Sequence, residues 1–269
     1  MDKMSKNPIE LIKKYTKHDY IALTSRGNTA IESAFNSAIK LSKNKKVLVP
    51  DQGGWFSYFK YPKKMGMEVL EVKTDYGIID LNDLKKKLDD ACCFIYSNPA
   101  GYFAEQPIKE IYSICKGKCL VIMDVTGSIG DKDMSDGDYA DFMVCSFGEW
   151  KPVNLGYGGV ISAKEDTIEV QEKSKFDPSF SEKLYVNLST VDKRLNGFYN
   201  EAKKIKNDLQ DFDILHRDKT GINVIVKFNN EPEKTKITDY CEKNKYEYTL
   251  CPRYIRVNEK AISIEVKRL

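Results

Sequence analysis

Residues 119–162 read CLVIMDVTGSIGDKDMSDGDYADFMVCSFGEWKPVNLGYGGVIS. Two apolar runs in this stretch, Cys119–Asp124 and Phe142–Phe147, lack the alternation of a half-exposed strand, so each reads as a strand buried on both faces. The first ends on a polar residue, Asp124, and the second carries Ser146 next to its last residue. Five residues after Ser146 comes Lys151, then Gly156-Tyr157-Gly158-Gly159 and a further strand, Gly159–Ser162. Upstream the same texture continues with strands at Lys46–Pro50, Val69–Lys73 and Ala91–Tyr96. Helical periodicity separates them at Thr29–Leu41, Asn82–Leu88 and Pro107–Lys116. This alternation predicts an α/β fold with a mainly parallel sheet covered on both faces. In such sheets the ligand crevice lies beyond the carboxyl ends of the strands, where Asn98, Asp124, Ser146 and Lys151 gather.

After about residue 165 the pattern changes. A charged helical stretch carries Leu184, Leu188, Val191, Leu195 and Phe198 on one stripe. A strand at 222–228, a helix at 232–244 and two strands within 246–266 follow. The chain therefore divides into a large domain, 1–165, and a small α+β domain, 166–269.

The 269 residues carry 43 Lys+Arg and 40 Asp+Glu. That balance argues against a nucleic-acid binder, which needs a basic excess. No apolar run is long enough to cross a bilayer, and the N-terminal MDKMSKNPIELIKKY has no continuous apolar segment of a secretory signal. Seven cysteines, an odd number set mostly in apolar runs, read as reduced thiols in a cytoplasmic protein. Cys115 and Cys119 have suggestive spacing, but only His18 and His216 could complete a metal site, so no metal is expected.

Four features carry chemistry. Ser25-Arg26-Gly27-Asn28-Thr29-Ala30 opens a helix, where free N–H groups and a glycine favour an anion; a plain helix cap is the alternative. Asn98-Pro99-Ala100-Gly101 follows a strand and reads as a turn. Asp124 is either a turn cap or a partner for a cation. Lys151 lies between a buried strand and a glycine turn, a setting in which lysine becomes a nucleophile toward carbonyls.

In this order the motifs resemble the pyridoxal-phosphate (PLP) enzymes of fold type I, the aspartate aminotransferase-like fold. Within them the chain looks most like the DegT/DnrJ/EryC1/StrS aminotransferase group. The group's Ser-Gly-Thr-x-Ala phosphate loop is matched by Arg26-Gly27-Asn28-Thr29-Ala30, read with one extra residue between Gly and Thr. Its Ser-Phe-x-x-x-Lys is matched by Ser146-Phe147 and Lys151, with Asp124 lying 27 residues before the lysine. The resemblance covers roughly residues 10–165. It implies that Lys151 holds PLP as a Schiff base and then moves protons at the substrate Cα. Asp124 would pair with the pyridine nitrogen, and Gly27, Asn28, Thr29 and Ser146 would hold the phosphate. Trp55 would stack on the ring, and Asn98 would contact the cofactor's 3-oxygen. Arg256, or else Arg253, would grip a substrate carboxylate in the small domain. Family sugar aminotransferases commonly carry glutamine three residues after the aspartate; here the residue is Gly127, and the chain is shorter than typical members. The implied activity is an aminotransferase for a small amino acid or keto acid, or an amino sugar precursor, working as a homodimer on a small-molecule substrate. A PLP-dependent lyase or desulfurase and a non-catalytic PLP-binding module are the alternatives. A reactive cysteine at the site would favour desulfuration, but strand alternation turns Cys145 into the core.

Overall fold

In the computed structural model, which describes residues 7–269, the apolar runs of the first half pair side by side. The reading of the N-terminal segment falls partly on residues 1–6, which lie outside the described residues. The strands are β1 (Tyr20–Thr24), β2 (Lys46–Pro50), β3 (Glu68–Val72), β4 (Thr74–Asp75), β5 (Ile78–Ile79), β6 (Ala91–Ser97), β7 (Leu120–Asp124), β8 (Phe142–Ser146) and β9 (Gly159–Ala163). Seven of them form one sheet in the order β1-β9-β8-β7-β6-β2-β3, while β4 and β5 make a separate small ribbon. Only β9 runs against its neighbours in the large sheet. Alternate residues feed two cores. Met143 and Cys145 of β8 enter one; Phe142 and Val144 enter the other. Burial on both faces is why these strands read as continuous apolar runs.

The intervening helices are α1 (Pro8–Thr16), α2 (Gly27–Leu41), α3 (Ser57–Lys64), α4 (Leu81–Lys87) and α5 (Ile108–Cys115). α2 buries Ala30, Ile31, Ala34, Phe35 and Ala38, the face that its periodicity predicts. The apolar pattern of the sequence did not show α1, β1 or α3. β1 is an edge strand with four of its five residues at least partly exposed, and α3 carries Pro62 inside the helix.

α6 (Ser181–Leu188), α7 (Val191–Asp208), β10 (Val224–Lys227), α8 (Glu231–Asn244), β11 (Tyr248–Leu250) and β12 (Ala261–Ile264) complete the chain. The last three strands form an antiparallel sheet, β10-β12-β11. The apolar stripe expected to run through the small domain divides. Leu184, Leu188 and Val191 join the core of the large sheet, whereas Leu195 and Phe198 join the core of the small one. Residues 184, 188 and 191 thus pack with the large sheet, where α6 closes over α1. Tyr15 seals that contact by donating to the carbonyl of Leu188 at 2.9 Å.

Candidate active site

The carboxyl ends of β1, β6, β7 and β8 open into a cavity of about 350 Å³. At one end stands the N-terminus of α2. Its preceding residue, Arg26, supplies no side-chain cap, so the first N–H groups of the helix are left for an anion. Gly27 lies so close to Ser146 that an added Cβ would meet the serine Cβ at 2.4 Å. Gly159 would likewise strike Gly27 at 2.8 Å. The glycines of the two motifs are therefore there to let three backbones converge. Ser146 is oriented by its own N–H, which donates to Thr126 Oγ1 at 2.9 Å, while its Oγ accepts from the Gly148 N–H at 3.3 Å.

At the opposite side β7 presents Asp124. Tyr58 donates to its Oδ2 at 2.7 Å and the Thr126 N–H to its Oδ1 at 2.9 Å. Burial pushes the carboxyl above its ordinary value, opposed by these bonds and by the charge of Lys151. Burial, with Asp124 beside it, also keeps Tyr58 protonated, so Tyr58 is a fixed donor.

Lys151 sits on the loop between β8 and β9, which is closed by the Leu155 and Gly156 N–H groups donating to the Phe147 carbonyl at 2.8 and 3.0 Å. Its neighbour Trp150 takes a left-handed backbone conformation, φ +57°, with its N–H donating to Asn154 Oδ1 at 3.0 Å. Lys151 Nζ lies 5.0 Å from the centre of the Tyr102 ring and 6.0 Å from that of Trp55. It makes no hydrogen bond or ion pair among the described residues.

Gly27, Asn28, Trp55, Asp124, Ser146 and Lys151 all line this cavity, as the motifs imply. Asn28 also holds Trp55, whose indole N–H donates to Asn28 Oδ1 at 2.8 Å; Ser57 donates to the same oxygen at 3.0 Å. Four expected residues are not brought in. Thr29 follows Asn28 on α2 but does not line the cavity; Asn28, directly after Gly27, takes the place that the motif gives to threonine. Asn98 is buried with both ends of its amide engaged, accepting from the Gln106 N–H at 2.9 Å and donating to the Met134 carbonyl at 2.7 Å. Its amide is thus spent within the turn, and Asn98 does not line the cavity. Arg256 is buried and forked onto Glu265, with Nε to Oε1 at 3.0 Å and Nη2 to Oε2 at 2.7 Å. Arg253 is exposed and does not line the cavity. The arginine grip from the small unit is therefore not built.

Sequence reasoning missed Tyr102, Thr126 and the lining role of Arg26. Gly127 was a usable signal for Tyr102: a Cβ there would lie 2.9 Å from the Tyr102 ring. The space left by the missing side chain is filled by that ring.

An open helix N-terminus beside a serine, two aromatic rings, an undercompensated buried carboxylate and an unpaired lysine fit the phosphate, ring, pyridine nitrogen and aldehyde of PLP. Fold and cavity define a PLP-dependent enzyme of fold type I, in the transferase class. The model of the DegT/DnrJ/EryC1/StrS aminotransferase family matches residues 9–186, and the chain belongs to that family. A second model, the MJ1341 family C-terminal domain, matches residues 192–269. Among solved structures, Helicobacter pylori PseC, described as an aminotransferase involved in the biosynthesis of pseudoaminic acid, has a TM-score of 0.76 at 11% identity over 98% of this chain and 86% of its own. The 3-amino-5-hydroxybenzoic acid synthase has a TM-score of 0.76 at 12% identity, over 98% and 84%. A NifS-like protein has a TM-score of 0.74 at 15% identity, over 96% and 80%. At these identities the likeness is one of fold. No curated protein matches the chain.

Proposed function

We propose that the chain is an aminotransferase in which Lys151 carries PLP and acts on an amino sugar precursor or a small amino or keto acid. The observation that carries this reading is the setting of Lys151: unpaired, beside two aromatic rings, and in the same cavity as Asp124. When bound, the cofactor supplies an electron sink for the bond broken at the substrate Cα. Lys151 would take the proton from that carbon and deliver it on the cofactor side in one half-reaction, and would run the same transfer in reverse onto the second substrate in the other. Asp124 faces the pyridine nitrogen and favours its protonated form. The Gly27 and Asn28 backbone and the Ser146 hydroxyl hold the phosphate, and Trp55, fixed through Asn28, covers one face of the ring. With Arg256 committed to Glu265, nothing from the small unit grips an α-carboxylate, which favours the amino sugar precursor.

The desulfurase reading is disfavoured. Cys145 borders the cavity, but it is buried and burial pushes its thiol well above its ordinary value, which disfavours the thiolate that desulfuration needs. Two units meeting near residue 191 are favoured over a boundary at 165 by the division of the two cores. A homodimer is favoured by Phe56 and Trp150, exposed at 52% and 47% and adjacent in sequence to the lining residues Trp55 and Lys151. Buried, unpaired thiols suit a cytoplasmic setting, and no helix among the described residues is long and apolar enough to cross a membrane.

Borohydride reduction of the PLP-loaded protein, followed by peptide mapping, tests the reading. The tag is expected on Lys151, and a tag on any other lysine overturns it.

A further inference from the structure

Tyr102 is held more firmly than a lining residue needs to be. It has φ +73°, a left-handed conformation unusual for an aromatic residue, and follows Gly101 at φ +51°. The turn is tied at both ends: the Tyr102 N–H donates to the Pro99 carbonyl at 3.3 Å, and the Ile222 N–H donates to the Tyr102 carbonyl at 2.7 Å. Backbone strain of this kind persists only where surrounding structure imposes it, and it concentrates at functional sites.

Three cations converge on the ring. Lys151 Nζ and the Arg256 guanidinium are each 5.0 Å from its centre, and Lys267 Nζ is 5.3 Å away. Arg256 and Lys267 come from the small unit, are buried, and share Glu265, at 2.7 and 3.1 Å from its Oε2. Gly127 leaves the ring its space, since any Cβ there would lie 2.9 Å from Tyr102 Cδ1 and 3.0 Å from Pro99 Cδ.

We propose that Tyr102 is a positioning residue for Lys151. Its ring face holds the amine over the cavity, and the Arg256–Glu265–Lys267 cluster fixes the ring from the small unit. The role is assigned to the ring and not to the hydroxyl, because the cation contacts are to its face. The proposal rests on the reading of Lys151 as the reactive lysine. It also connects the small unit to the chemistry. Although that unit sends no arginine into the cavity, it sets the position of the reactive amine through one aromatic side chain.

The test compares full-length protein, free of PLP, with Tyr102→Phe and Tyr102→Leu. Acetic anhydride labels the lysines, and mass spectrometry gives the ratio of Lys151 to Lys60, an exposed control on α3. Tyr102→Leu is expected to raise that ratio about fivefold as the amine leaves the ring for solvent, while Tyr102→Phe stays within about twofold of wild type. A purely structural role would change thermal stability and leave the ratio alone. An unchanged ratio in Tyr102→Leu overturns the proposal, and so does a Tyr102→Phe ratio as high as that of leucine. If Tyr102→Leu does not fold, Gly127→Ala takes its place: its methyl displaces the ring, the same rise is expected, and no rise overturns the proposal. A borohydride tag on another lysine in PLP-loaded wild type would sink the reading of Lys151 as the reactive lysine, without altering the labelling ratio of the PLP-free protein.

Discussion

Asp124 and Glu265 are both buried carboxylates, one in each unit, and their surroundings are opposite. Glu265 receives Arg256 twice, Ser263 at 2.9 Å, Lys267 at 3.1 Å and Asn223 at 3.1 Å. Burial pushes its carboxyl up, but Arg256 and Lys267 override this and hold it well below the usual carboxylate range. Asp124 has two neutral donors and no ion pair among the described residues, and burial leaves it above its ordinary value. A fully compensated carboxylate has nothing left to offer a ligand. An undercompensated one keeps its attraction in reserve, and a protonated pyridine nitrogen is the kind of cation that would release it.

The largest effect should come from breaking the compensated site. Glu265→Gln leaves Arg256 and Lys267 buried without an anion, and chemical denaturation should show a loss of about 3–5 kcal/mol. A loss below about 1 kcal/mol would mean that solvent already reaches the cluster.

Asp124→Asn should behave in the reverse way. Without cofactor its stability should match or exceed wild type, since a costly buried charge is gone. The rate of a half-reaction, followed by absorbance in a single turnover, should fall about a hundredfold, or about 2.7 kcal/mol of barrier. Equal rates would remove Asp124 from the chemistry.

The smallest effect concerns Lys267. Burial, with Arg256 and Lys151 nearby and against the pull of Glu265, pushes its pKa down to about 8 from an ordinary 10.5. Between those values the unfolded chain binds a proton that the folded chain has released, so this group's contribution to stability rises with pH. Relative to Lys267→Met, wild type should gain about 2 kcal/mol between pH 8 and 10. A difference that stays flat across that window would show that Lys267 titrates normally.

The same contrast explains what was legible in the sequence. Asp124, Ser146 and Lys151 stand at the ends of unbroken apolar strands, so local pattern alone sets them at the crevice. Gly27 could be placed because its motif opens a helix, and Trp55 only through the family resemblance, which puts an aromatic after the two glycines Gly53-Gly54. Arg256 looked like a ligand-gripping arginine because its partner is on the far side of a strand, nine residues on, and cross-strand pairing is not written in local pattern. The surroundings of Asn98 were illegible for a similar reason: its partners, Gln106 and Met134, are fixed only by how two turns fold together. Tyr102 was hidden because its importance lies in what surrounds it. β1 was lost to its half-exposed edge, although it places the first turn of α2.

That edge has a consequence for how the protein is made. β1 pairs with β9, Thr24 opposite Gly159, so the walls of the anion cradle are the first and last strands of the large sheet. A growing chain that has emerged from the ribosome only as far as β8 possesses Gly27 and Ser146 but not the strand that brings them together. Such closure between distant segments is slow compared with forming local helices. This corner is thus among the last parts of the large sheet to become whole during translation, and Gly27 and Ser146 are brought together only once β9 has emerged.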